Sequence, residues 1–251
     1  LIDRRGFLTI GGVAALSACS PSAAFPKEEG SDIAGPQTAS GAWDRTALSP
    51  LLPGEVTNGP RDRPLVALTF HGAGTPALAE KVLAAIEREH ARATVLAVGT
   101  WLDRAIADRI VGAGHDLGNH TMHHLDISAL SEDQARREIE ECAERLHDLT
   151  GSVGSWFRQS ATQHATPVIQ DLARRAGYRT CLSYDVDAGD NLNPGRQAIT
   201  SNVLDAVQPG SIVSMHLGHP QTLAALPRIL DGLHQRDLRA VTVTELLARG
   251  G

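Results

Sequence analysis

Asp116-Leu117-Gly118-Asn119-His120-Thr121-Met122-His123-His124 begins as a short strand-like run and ends with three imidazoles in five positions. His120 and His124 are four residues apart. On a helical turn that spacing puts both rings on one face, within reach of a single metal ion. What the flanking sequence does around this stretch decides the fold.

From Pro64 onward, short apolar runs alternate with helical patterns. Strands are expected at Leu65 to Phe70, Ala93 to Val98, Asp116 to Gly118, Ser155 to Phe157, Tyr178 to Ser183, Ser211 to Met215 and Val241 to Val243. Helices are expected from Pro76 to His90, with Thr75 as N-cap and proline near the start, and from Trp101 to Val111. Further helices are expected from Ser131 to Leu149, where Ile139, Cys142, Leu146 and Leu149 keep helical spacing before Gly151, and from His164 to Ala176. Arg196 to Val207, Thr222 to Gln235 and a last helix from Glu245 complete the set.

About seven strands separated by helices is the pattern of parallel β/α units. An α/β fold of the incomplete (β/α)7 barrel type accounts for it better than a doubly wound sheet. The polar clusters His71, His120 to His124, Arg158, Asp185 to Asp190 and His216 all fall just after strands. In such barrels the strand ends converge on one mouth, where these groups can meet.

A chain of 251 residues with 42% hydrophobic and 21% charged residues is ordinary for a globular protein. Its net charge of −6, with no Lys/Arg-rich run, argues against nucleic acid as a partner. At 4% aromatic residues an extended aromatic sugar platform is not expected. Cys142 and Cys181 have no disulfide or zinc-finger spacing and read as buried small hydrophobes.

The N-terminus differs in kind. Arg4-Arg5 precede the apolar run Thr9 to Ala18, which is too short to span a bilayer and ends in Leu16-Ser17-Ala18-Cys19. The order resembles a twin-Arg export signal closed by a lipobox, with Cys19 as the lipidation site. Residues 1–19 are therefore expected to be a lipoprotein signal peptide and residues 20–62 a flexible tether, in which Trp43 or Leu51-Leu52 docks on the domain. The folded domain is expected over 63–251, outside the cell membrane and attached to it only through lipid.

Five segments in order then resemble the polysaccharide deacetylase family, also known as the NodB-homology domain or carbohydrate esterase family four. Thr69-Phe70-His71-Gly72-Ala73-Gly74 lies at its first motif and His120-Thr121-Met122-His123-His124 at its second. Phe157-Arg158-Gln159 lies at the third, Asp187-Ala188-Gly189-Asp190-Asn191 at the fourth and Ile212-Val213-Ser214-Met215-His216 at the fifth. The resemblance implies His120 and His124 as ligands of a divalent metal, generally Zn²⁺, which polarises an N-acetyl carbonyl and acidifies water. It also implies Arg158 as an orienting residue and His216 as an acid partnered by Asp187. Asp190 and His164 are expected to face substrate.

The first motif departs from the family's T-F-D-D-G-P: His71 and Gly72 stand where it has two aspartates. His71 is then either a third ligand, completing a three-histidine site, or a base. His123 or His164 are further candidates for the metal, and Asp185 or Asp187 for the base if His71 ligates. Arg158-Gln159-Ser160 replaces R-P-P, and Asn191 replaces a sugar-stacking tryptophan. The expected activity is hydrolysis of non-peptide C–N bonds, as N-deacetylation of an envelope polysaccharide or peptidoglycan amino sugar. The alternatives are a degenerate, non-catalytic glycan-binding lipoprotein and a small-molecule amide or imide hydrolase.

Overall fold

A computed structural model describes residues 54–248. The expected signal peptide, Cys19, Trp43 and the tether up to residue 53 lie outside the described residues. Among the described residues no helix is long and apolar enough to cross a membrane.

The described chain runs β1 (Glu55–Val56), β2 (Leu65–Gly72), α1 (Pro76–Arg88), β3 (Thr94–Ala97), α2 (Arg104–Gly112) and β4 (Asp116–Asn119). It continues with α3 (Glu132–Thr150), α4 (Pro167–Arg175), β5 (Cys181–Leu182), β6 (Val186–Asp187) and α5 (Arg196–Ala206). β7 (Ile212–His216), α6 (Pro220–His234), β8 (Arg239–Val241) and α7 (Val243–Leu247) end it.

β2 is the central staff. Its residues Val66 to Phe70 are buried, as expected of a near-continuous apolar run in a parallel sheet. Along one edge it pairs with β7. Along the other it pairs first with β8, then with β3, which carries β4. All these pairings are parallel, and β6 extends the sheet beyond β7. Beyond β4, Phe157 makes single parallel bridges to Asn119 and Cys181, and β5 pairs with β1. Among the described residues no ladder pairs β5 with β6, so the barrel is incomplete, as expected.

Helices start and stop where their local chemistry dictates. Ser131 and Gln134 form a reciprocal capping box on α3, and Gly151 closes that helix at φ 75°. Pro76 and Pro220 open α1 and α6 at positions where a missing N–H costs nothing. Thr75 is the N-cap of α1, without a side-chain capping bond. Apolar faces of α1, α2, α5 and α6 pack with the strands into one buried cluster, which includes Phe70, Ile86, Met215 and Ile229. Cys142 and Cys181 are free, buried thiols.

Four expectations need correction. Residues 155–157 form no strand: Ser155 and Trp156 hydrogen-bond to β4, but only Phe157 makes bridges, and these are isolated. Residues 54–62 belong to the domain rather than to a tether: Glu55 and Val56 add a strand to β5, and Asn58 bridges Ser211. Arg61 also pairs with Asp185 at 2.8 Å. Val186-Asp187, expected just after a strand, is itself an edge strand against β7. The histidine stretch is not helical: Thr121 and His124 take φ of 64° and 58°, so a left-handed turn directs the rings.

Candidate functional site

Register brings the site together. His71 and His216 are partners on β2 and β7, so in a parallel pair their side chains emerge side by side. Gly72, Ala97 and Asn119 form the next rung, and His120 follows Asn119. Phe157 bridges Asn119, which sets Arg158 beside His120. Gly118 permits the close approach there, since a Cβ on it would lie 2.5 Å from the Trp156 carbonyl oxygen.

Arg158 is 1% exposed and spends its donors inward. Nε donates to the Leu182 carbonyl and Nη2 to the Ser183 carbonyl, each at 2.9 Å. Nη1 donates to Thr69 Oγ1 at 2.9 Å and to His71 Nε2 at 3.2 Å. Burial pushes the guanidinium pKa down to about 9, which still leaves it charged at neutral pH.

From this donor-only group a series of proton positions follows. His71 Nε2 must accept from Arg158, so the His71 proton sits on Nδ1 and is donated to His216 Nε2, 2.9 Å away. His216 then carries its own proton on Nδ1 and donates it to Asp190 Oδ1 at 2.7 Å. Asp190 is fully buried and also accepts from the His216 backbone N–H and from Thr222 Oγ1. Burial alone would raise its pKa, but these bonds, with His216 foremost, hold it below the usual carboxylate range.

His120 lies behind His71, their rings stacked with centroids 4.0 Å apart and planes 20° from parallel. Its Nδ1 donates to the Arg158 carbonyl at 3.0 Å, which leaves a lone pair on Nε2. That nitrogen is buried and has no hydrogen-bond partner. The His124 ring meets His120 edge-on at 4.9 Å. Burial, then neighbouring positive charge, holds the His71 pKa well below its ordinary value; burial is also the first cause for His120.

The cleft above is a cavity of about 210 Å³, lined among others by His71, His124, Arg158, Tyr184, Asp187 and His216. Tyr184 lies over the guanidinium, with Arg158 Cζ 5.3 Å from the ring centroid.

Several expected roles change. The partner of His216 is Asp190, not Asp187: the turn through Gly189 at φ 63° tucks Asp190 beneath the end of β7. Asp187 is exposed on the edge strand and accepts from the Gly189 N–H. Asp190, being buried, does not face substrate. His164 is paired with Glu55 at 2.7 Å and is not among the cleft-lining residues. His123 donates through its backbone N–H to the buried Glu138, which also holds its ring.

A divalent metal finds two imidazoles here, His120 and His124. His71 does not fit as the third donor. In-plane lone pairs of two nearly parallel stacked rings do not converge on one ion, and both His71 nitrogens are already hydrogen-bonded. Among the described residues no three His, Cys, Asp or Glu side chains group closely enough to hold a metal ion. Two residues that the sequence did not single out matter as much: Thr222, which braces Asp190, and Trp101, whose indole packs against Gly72.

Fold and site together define a polar, histidine-lined cleft at the carboxyl ends of the strands of an incomplete parallel β/α barrel. Residues 58–181 match the family model described as polysaccharide deacetylase. A peptidoglycan-N-acetylglucosamine deacetylase of Bacillus cereus is 31% identical over 194 residues, covering 75% of this chain and 90% of that protein. A chitooligosaccharide deacetylase of Sinorhizobium fredii is 31% identical over 197 residues, covering 69% of this chain and 87% of its own. The crystal structure of a peptidoglycan N-acetylglucosamine deacetylase superposes with a TM-score of 0.72 at 25% identity, over 78% of this chain and 94% of that one. This chain belongs to the polysaccharide deacetylase family.

Proposed function

We propose that the protein is a carbohydrate N-deacetylase that removes acetyl groups from N-acetylated amino sugars of an envelope polysaccharide, with peptidoglycan as the first candidate. The observation that carries this reading is the series Arg158–His71–His216–Asp190, whose ends fix every proton between them. The names of the Bacillus and Sinorhizobium relatives support the substrate class. The twin-Arg pair and the lipobox ending in Cys19 support an exported protein, held by lipid at the outer face of the cell membrane.

Amide hydrolysis needs a proton taken from the attacking water and one given to the departing nitrogen. His216 serves both needs at Nε2. It takes the water's proton as oxygen attacks the acetyl carbon, and Asp190 stabilises the imidazolium. As the C–N bond breaks, the same proton passes to nitrogen, leaving acetate and a free amine. The water reaches Nε2 by displacing the His71 Nδ1–H. In this reading His120 and His124 are the donors for a divalent ion, probed first with Zn²⁺, which would polarise the acetyl carbonyl when bound. The missing third donor assigns that ion no step.

The test is release of acetate and free amine from N-acetylchitooligosaccharides and from peptidoglycan fragments by the full chain, with and without added Zn²⁺. Turnover lost in His216→Ala is the expected result; no turnover by the wild type on either substrate sinks the reading. One feature favours a second reading, glycan binding without turnover: the indole of Trp101 fills the space beside Gly72. Oligosaccharide binding without acetate release is its signature.

A further inference from the structure

We propose that Trp101 closes the third ligand position beside the His120–His124 pair, so that Gly72 and Trp101 act as one coupled unit. Other donors around the pair are committed elsewhere. Asp190 is held by His216 and Thr222, and Glu138 by His123. Asp187, at the cleft's rim, accepts from the Gly189 N–H and the Tyr184 hydroxyl, and His71 is stacked and hydrogen-bonded at both nitrogens. The family resemblance puts the remaining donor at position 72, where this chain has Gly72 in place of the motif's second aspartate, on the rung that ends beside His120.

That position has no room for a side chain. A Cβ on Gly72 would lie 2.6 Å from Trp101 Cζ3 and 3.0 Å from Cε3, inside van der Waals contact. The Ala97 Cα, also at 3.0 Å, asks for a shift of only a few tenths of an ångström. The indole is not free to swing away. Its Nε1–H donates to the Gly74 carbonyl at 3.0 Å, its backbone N–H donates to Val98, and the ring packs on the main core. A carboxylate at position 72 is therefore excluded by the tryptophan rather than by the strand, and making the indole smaller opens the place.

A double-mutant cycle on the full chain tests this without reference to turnover, so it stands or falls separately from the deacetylase reading. Gly72→Ala is expected to lower Tm by about 5 °C in the wild-type background and by less than about 2 °C in a Trp101→Ala background. Gly72→Asp/Trp101→Ala is expected to bind Zn²⁺ at least about tenfold tighter than Gly72→Asp alone in competition with a chromogenic chelator. Adding His120→Ala should remove the gain, which places the ion on the pair. Trp101→Leu serves in both arms if the alanine variant does not fold. Equal Tm losses in the two backgrounds, or full Zn²⁺ affinity from Gly72→Asp alone, overturn the proposal. So does a wild type that already retains stoichiometric Zn²⁺ and gains nothing from the double substitution.

Discussion

His71 and His216 stand at the same register on adjacent parallel strands, with His71 Nδ1 2.9 Å from His216 Nε2. The bond has a direction only because Arg158 donates to the far nitrogen of His71. His71→Phe keeps a flat ring against His120 but removes both bonds, leaving a buried guanidinium N–H without its acceptor. The expected loss is about 1–3 kcal/mol of folding stability, read as a lower urea midpoint at unchanged m-value.

Asp190 and Asp187 separate cleanly by burial. Asp190→Asn puts an amide against two donors of His216 and the hydroxyl of Thr222, so one buried contact is lost and the His216 tautomer is no longer imposed. A fall of about 100-fold or more in acetate release is expected, since a dyad histidine in the wrong tautomer cannot take a proton at Nε2. Asp187→Asn keeps an oxygen for the Gly189 N–H, and a stability change within about 0.5 kcal/mol is expected. Parallel urea titrations and turnover assays of the two variants check the pair.

The barrel was legible because its strands are apolar runs bounded by helix signals, and because polar residues recur just after them. Register could not be read: that His71 faces His216, and that Arg158 reaches both His71 and Thr69, depends on alignments between strands far apart in sequence. The spacing of His120 and His124 suggested one helical face, whereas positive φ at Thr121 and His124 produces their proximity by another route. Asp187 lies nearer the strand end in sequence, and the fold-back at Gly189 that brings Asp190 to His216 instead has no periodic signature. Glu55 and Val56 looked like tether because a two-residue strand carries no pattern of its own.

His123 and His124 are neighbours with opposite fates. Glu138, 6% exposed, holds the His123 ring away from the cleft, whereas His124 lines it. His123→Ala should leave acetate release and Zn²⁺ uptake within about twofold of wild type, the range of a surface substitution. His124→Ala should weaken Zn²⁺ uptake by about tenfold or more, as removal of one of two donors requires. Equilibrium dialysis against buffered Zn²⁺ distinguishes them, and equal losses would place both rings on the ion.

Acid should unfold this protein early, for a reason unconnected with carboxylates. His115 is buried, accepts from the Ala93 N–H at Nδ1 and donates from Nε2 to Glu87, an arrangement complete in the neutral ring. Burial holds its pKa below the ordinary value, outweighing the opposing pull of Glu87. His71 and His120 are held well below theirs, again first by burial. The sign follows from where protons bind. Below about pH 6.5 the unfolded chain protonates these rings while the native state does not, so stability is full above that pH and falls as pH drops toward the native values. Each ring contributes a slope of about 1.4 kcal/mol per pH unit inside its window. Urea midpoints of the metal-free protein should be flat from pH 8 to about 7 and decline steadily from about 6.5 to 5. His115→Gln should make that decline shallower by about one ring's share, and an unchanged slope would remove His115 from the account.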